Sequence, residues 1–278
     1  MKTITITNQK GGVGKTTTAL ALASGLAHKG YRVLGIDLDP QENLSYSTGA
    51  SDNENNIYAL LTGKIEFRPP LKKEMVTLKK EVDPLKKSEI PHLKKGKQGF
   101  YMISGSLNLA NADREFNDTG REYILKEAIA PLENEFDYCI IDTPPSLSIL
   151  TVNALTASSG VIVPMKTDFY SLQGLEQLYK LVQKVKKYSN PNLCIEGLLL
   201  TKYKPRAIIN RQIKEQLETI AERMGTKVFN STIREAIAIQ EALFLQTDIF
   251  TDIPKAKVTE DYKSFVEEFI RDQESREK

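Results

Sequence analysis

The stretch TNQKGGVGKTTTALALA, residues 7–23, sets three glycines, Gly11, Gly12 and Gly14, between Lys10 and Lys15, with Thr16 and Thr17 directly after. Glycines lack Cβ, so a backbone built from them can curl tightly and aim several N–H groups at one anion. An apolar helical pattern follows at Ala19-Leu20-Ala21-Leu22-Ala23. A helix that starts there adds unpaired amides and the positive end of its dipole to the same point. Lys15 can reach the outer phosphates of a nucleotide. The Thr16 hydroxyl suits Mg²⁺, a hard ion that takes oxygen ligands and keeps several waters. Thr17 is placed for a more interior phosphate. With Val13 in the loop, residues 10–17 read as a phosphate cradle.

Two carboxylate segments extend that chemistry. RVLGIDLDPQ, residues 32–41, ends a strand pattern in Asp37 and Asp39. Side chains alternate along an extended chain, so these two share a side. A carboxylate near a terminal phosphate can orient a water, and Asp39 is the candidate; a cap for the next element is the other reading. FDYCIIDTPPS, residues 136–146, closes an apolar strand with Asp142. An ionised carboxylate at the end of a buried strand needs a cation, and magnesium is one.

The elements that must hold these groups are legible from periodicity. Runs at 2–7, 32–37, 99–103, 137–142, 160–165 and 194–201 read as strands, several of them apolar throughout as in sheets covered on both faces. Helical patterns lie near 15–29, 106–116, 120–134, 147–158, 171–188 and 207–224, and Thr119 with Glu122 has capping-box spacing. Strand–helix alternation predicts an α/β fold, a doubly wound and mostly parallel sheet with helices on both faces. Ligands then sit at the carboxyl ends of the strands. The last 20 residues read as a helix whose Tyr262, Phe265, Val266, Phe269 and Ile270 face one way. Its polar face is acidic, which favours docking on the protein core over a membrane.

KGGVGKTT resembles the deviant Walker A motif of the ParA/MinD family of P-loop ATPases, and NQKGGVGKTT is similar to its ParA branch. The strict P-loop pattern wants glycine where this chain has Gln9. The resemblance implies a P-loop ATPase that uses ATP and Mg²⁺. It implies that Lys10 is the signature lysine, crossing a nucleotide-sandwich homodimer to the other subunit's phosphates. It also implies that Asp39 activates the attacking water, that Asp37 sits near the magnesium shell, and that Asp142 is the Walker B aspartate. GLLLTKYKPR, residues 197–206, resembles the strand ending beside the base, which brings in Thr201 and Lys202. The family further implies sequence-independent DNA binding by the ATP dimer and a ParB-like partner that stimulates hydrolysis. Lys202, Lys204, Arg206, Arg211 and Arg234 are candidate DNA contacts; some relatives carry arginine near position 238, where this chain has Ala238.

Composition narrows the alternatives. A net charge of +2 gives no global pull toward nucleic acid, so DNA affinity must come from a local patch. Residues 71–97 hold nine lysines against four acids, a solvated surface insertion or a docking face in an otherwise single domain spanning 1–278. The chain opens directly on its first strand, with no signal peptide and no apolar run of membrane-spanning length, so a cytoplasmic, nucleoid-associated protein without a helix-turn-helix domain is expected. A MinD-like membrane-associated regulator is the alternative, disfavoured by the acidic terminal helix. An electron-transfer protein like the nitrogenase iron protein would need cluster cysteines, and Cys139 and Cys194 lie in strand patterns that read as core.

Overall fold

A computed structural model describes residues 1–52, 54–67, 93–204 and 207–276. Most of the lysine-rich stretch, residues 71–92, and Arg206 lie outside the described residues. Eight strands among those described form one sheet: β1 (Lys2–Ile6), β2 (Val33–Asp37), β3 (Lys94–Lys95), β4 (Tyr101–Ile103), β5 (Tyr138–Asp142), β6 (Gly160–Lys166), β7 (Cys194–Thr201) and β8 (Val228–Ile233). Their order is β3-β4-β2-β5-β1-β6-β7-β8, parallel except for the β3–β4 pair. The strand β1 lies between β5 and β6, with Ile6 level with Asp142 on one side and Ile162 on the other. Chain direction in the sheet therefore reverses its winding at the end of β1, the place where open α/β sheets leave a crevice.

Alternation along the strands divides the core. Ile4, Ile6 and Ile140 pack on one face with α1 (Lys15–His28) and α10 (Lys257–Arg276). Cys139 and Ile141 point to the other, against α5 (Ile124–Ile129) and α6 (Ile149–Ala157). Val161, Val163, Leu198 and Leu200 meet α7 (Phe169–Tyr188) and α8 (Ile208–Arg223) on that same side. Helices thus cover both faces, as the apolar strand runs require.

The terminal helix docks as its pattern predicts. Tyr262, Phe265, Val266 and Phe269 are buried, and Phe229 of β8 meets Phe265 edge to face with centroids 5.1 Å apart. The approach of α10 to α1 is close at Gly25, where a Cβ would come within 2.6 Å of Val266 Cγ2. The apolar face of α10 is therefore occupied by the protein's own core. Among the described residues no helix is long and apolar enough to cross a membrane.

Several local expectations fail for identifiable reasons. Thr119 and Glu122 do not cap a helix: Gly120 takes a left-handed turn (φ 85°), a 3-10 turn Arg121–Tyr123 follows, and α5 begins only at Ile124. Residues 106–116 form a 3-10 segment, Leu107–Asn111, capped by the Ser106 hydroxyl at Asn108 N, and one turn of helix, α4 (Ala112–Glu115). The edge strand β8 carries Asn230, Ser231 and Thr232 and lacks an apolar run, so periodicity misses it. The short helices α2 (Asn43–Thr48), α3 (Ile57–Leu61) and α9 (Ile237–Phe244) complete the described set. Cys194 is also less buried than a core residue, its thiol lying 3.3 Å from Glu196 Oε1.

Candidate functional site

The loop between β1 and α1 is held open for an anion. Gly14 is the N-cap of α1 in a left-handed conformation (φ 87°), and no side chain caps the helix. The first helical hydrogen bond runs from Thr18 N to Gly14 O, so the amides of Lys15, Thr16 and Thr17 have no intrahelical acceptor. Gly12 also takes positive φ, 67°, which a side chain would resist. Three buttresses fix the loop from outside. Asn8 Nδ2 donates to Pro164 O at 2.8 Å while its Oδ1 accepts from Lys10 N. The Thr201 hydroxyl, buried at the end of β7, lies 2.7 Å from Val13 O. Lys15 Nζ turns back toward Lys10 O at 3.4 Å.

Around this loop a cleft of about 480 Å³ opens, lined among others by Lys15, Thr16, Thr17, Asp39, Pro145 and Lys202. It is bounded on one side by Tyr46 of α2 and on another by Ile239, Gln240 and Phe244 of α9. Gly14, Thr17, Lys202 and Tyr262 also border a smaller recess next to it. The sequence assigns α2 and α9 no part in the site and marks Tyr262 only as a core-facing residue of the terminal helix; their place at the cleft comes from tertiary packing.

The carboxylates converge at the strand ends, Asp37 level with Asp142 in the β2–β5 register. They differ in their partners. Asp37 Oδ2 accepts from Ser45 N and Ser45 Oγ, and its Oδ1 accepts from Asp39 N. It thereby ties the Asp39 loop to α2, and its acceptors face those donors. Burial pushes its pKa up to about 6, against the pull of the Ser45 hydrogen bonds. Asp39 Oδ1 accepts from Gln41 N at 2.9 Å, which seats this carboxylate on the cleft wall.

Asp142 is fully buried and neither of its oxygens has a hydrogen-bond partner. Burial and the neighbouring Asp37 push it well above the ordinary carboxyl range; the Thr16 hydroxyl and Lys15 pull the other way, without a hydrogen bond of acceptable geometry. Burial lowers the Lys15 pKa, while Asp142 and Asp39 oppose that shift. A buried acid with two orphaned oxygens, next to a threonine hydroxyl and an anion-binding loop, fits an oxygen-preferring dication whose other ligands are waters and phosphate. No group of three His, Cys, Asp or Glu side chains among the described residues makes a protein-only metal cage.

Linkage gives this arrangement a sign. The folded chain holds protons on Asp142 and Asp37 at pH values where an unfolded chain has lost them. Stability of the nucleotide-free protein therefore falls as pH rises from the usual aspartate pKa, about 3.9, through the raised values. Asp37 contributes this loss up to about pH 6, and the raised Asp142 acts in the same direction. Replacing Asp142 by asparagine removes the buried charge. The nucleotide-free Asp142→Asn protein is expected to melt roughly 3 °C or more above wild type at about pH 7.5, with the difference shrinking near pH 5, in calorimetric scans. An unchanged melting temperature at the higher pH contradicts the assignment of an uncompensated acid.

The remaining candidates are placed unequally. Lys10 Nζ pairs with Asp168 Oδ2 at 2.5 Å, and Asp168 Oδ1 caps α7 through Ser171. Lys202 and Lys204 both approach Glu235, at 4.0 and 3.6 Å. Arg211 is exposed on α8. Arg234 is spent on Asp261 in a two-point contact, Nε–Oδ2 2.6 Å and Nη2–Oδ1 2.7 Å.

Known proteins resemble this arrangement over the whole chain. Residues 1–195 match a family model described as an AAA domain. The sporulation initiation inhibitor protein Soj of Bacillus subtilis is 35% identical over 270 residues, 96% of this chain and 97% of Soj. The chromosome partitioning protein ParA of Caulobacter vibrioides is 34% identical over 247 residues, 87% of this chain and 84% of that protein. Among solved structures, cobyrinic acid a,c-diamide synthase from Mycobacterium smegmatis, crystallised with ADP and magnesium, superposes with a TM-score of 0.77 at 29% identity, covering 99% of this chain and 96% of that one. The same enzyme was also crystallised with an ATP analogue and magnesium.

Proposed function

The chain belongs to the ParA/MinD family of P-loop ATPases, and from that premise we propose that it is a DNA-segregation ATPase whose ATP-bound homodimer holds nonspecific DNA and lets go on hydrolysis. The observation that carries the reading is the orphaned carboxylate of Asp142 beside an uncapped, glycine-lined helix N-terminus. Such a pair stores an unmet demand for a cation and for an anion, and Mg·ATP meets both.

Placement supports the following roles. The amides of Gly12 to Thr17 and the Lys15 ammonium bind the phosphates. Thr16 and Asp142 would hold magnesium. A magnesium ion there supplies positive charge to the outer phosphate oxygens. Asp39, anchored by Gln41 N, orients water at the terminal phosphate, and Asp37 keeps that loop in register with α2. Thr201 positions Val13 from beneath, and Lys202 borders the nucleotide cleft. Lys10 exchanges Asp168 of its own subunit for phosphate oxygens across the dimer. A cation delivered that way stabilises charge on the transferring phosphoryl group only when two subunits meet.

ATP lodged between subunits favours the dimer because a ligand stabilises the state it binds better. Dimerisation doubles a patch built from Lys202, Lys204 and Arg211, with Arg234 free to join only if it leaves Asp261. A ParB-like partner accelerates hydrolysis and supplies site specificity. The test is binding of random-sequence duplex DNA by anisotropy with ATP, with ADP and without nucleotide, across a salt series. ATP-dependent binding is expected. With roughly six phosphates contacted by the dimer, affinity falls on the order of 10³-fold between about 50 and 200 mM salt. Binding that needs no ATP and ignores salt contradicts the proposal.

A further inference from the structure

Lys166, the last residue of β6, has no role in the reading above, yet the fold delivers it to the middle of the phosphate loop. Its backbone pairs in register with Thr201, the residue that holds Val13. Its Nζ lies 3.8 Å from where a Cβ on Gly12 would stand. Its Nζ makes no hydrogen bond and no ion pair within 4.0 Å among the described residues. Two other lysines share the neighbourhood. Burial, Lys202 and Lys10 all act against its charge, in that order, and only Asp168 and Glu235 act for it. Those two acids are already engaged, Asp168 by Lys10 and Ser171, Glu235 by Lys202 and Lys204.

Three like charges drawn together over a backbone that aims its amides at the same place destabilise the empty site. An anion of high charge density reverses the sign of that interaction. We propose that Lys166 is a further phosphate-binding residue, a cation supplied within the subunit from the end of β6 that contacts the outer phosphates of the nucleotide beside Gly12. This rests on the nucleotide-binding reading above. Because the attraction grows with the negative charge of the outer phosphates, it favours a triphosphate over a diphosphate. Asp168, paired with Lys10, offsets the repulsion between that lysine and Lys166.

The test compares wild type, Lys166→Gln and Lys166→Arg by calorimetric titration with ADP and with a non-hydrolysable ATP analogue, in magnesium, together with thermal melts of the nucleotide-free proteins. Lys166→Gln is expected to weaken the ATP analogue about 10-fold and ADP by less, while Lys166→Arg stays near wild type. The nucleotide-free Lys166→Gln protein melts at or above the wild-type temperature, since a repulsion has been removed. Unchanged affinity for both nucleotides, equal loss for both, or a lower melting temperature without nucleotide overturns the proposal. If wild type itself binds neither nucleotide, the nucleotide-binding reading fails first, and this contact with it.

Discussion

Lys15→Ala is expected to bind ATP about 100-fold more weakly than wild type, or not measurably. Lys15 is the buried cation of the loop, flanked by Asp142 and Asp39 and folded against Lys10 O. A charge-assisted contact in a partly dry site is worth up to about 3 kcal/mol, and each 1.4 kcal/mol is about tenfold in affinity. The loss has a second source. Lys15 is the cation that acts on the buried Asp142 among the described residues, so without it the Asp142 proton is held more firmly and magnesium has to displace it. Titration with a non-hydrolysable analogue measures the effect. Affinity within threefold of wild type would remove Lys15 from the phosphate site.

Asp39→Ala separates binding from turnover. The side chain sits on the cleft wall with Oδ1 accepting from Gln41 N, and it makes no hydrogen bond to the phosphate loop. Removing it should leave nucleotide affinity near wild type and slow hydrolysis by about 10²- to 10⁴-fold, the usual scale for a positioned base or water-orienting group. The ATP-bound state then persists, and sedimentation in ATP should show dimer where wild type in the steady state shows a mixture. Two outcomes count against the role: a rate near wild type, or a protein that stays monomeric with ATP bound.

The phosphate loop was legible because its chemistry is contiguous. Glycines, lysines and threonines stand within residues 10–17, between a strand and a helix pattern, and each residue type has a physical reason to be there. Asp142 was legible for a similar reason, an acid closing an apolar strand. What the sequence does not show is pairing at a distance. Thr201 bonds Val13 across 188 positions and Lys10 pairs with Asp168 across 158. Asp37 shows the same limit: the family resemblance puts it near the magnesium shell, and only the fold reveals its hydrogen bonds to Ser45 and Asp39. Arg234 reads as surface charge until Asp261 is found beside it. Edge strand β8 escaped because its polar residues break the apolar run, and its burial comes from α10 folding over it. Local chemistry carries a motif; only the fold says which partner each side chain meets.

The central claim is that a triphosphate with magnesium fills the demand created by the open helix terminus and the orphaned Asp142. The most direct measurement is calorimetric titration of the wild-type protein with a non-hydrolysable ATP analogue, with and without magnesium. One nucleotide per chain, bound more tightly when magnesium is present and losing that magnesium increment in Asp142→Asn, is the predicted result. No binding in either condition, or binding that magnesium and Asp142→Asn leave unchanged, would contradict it.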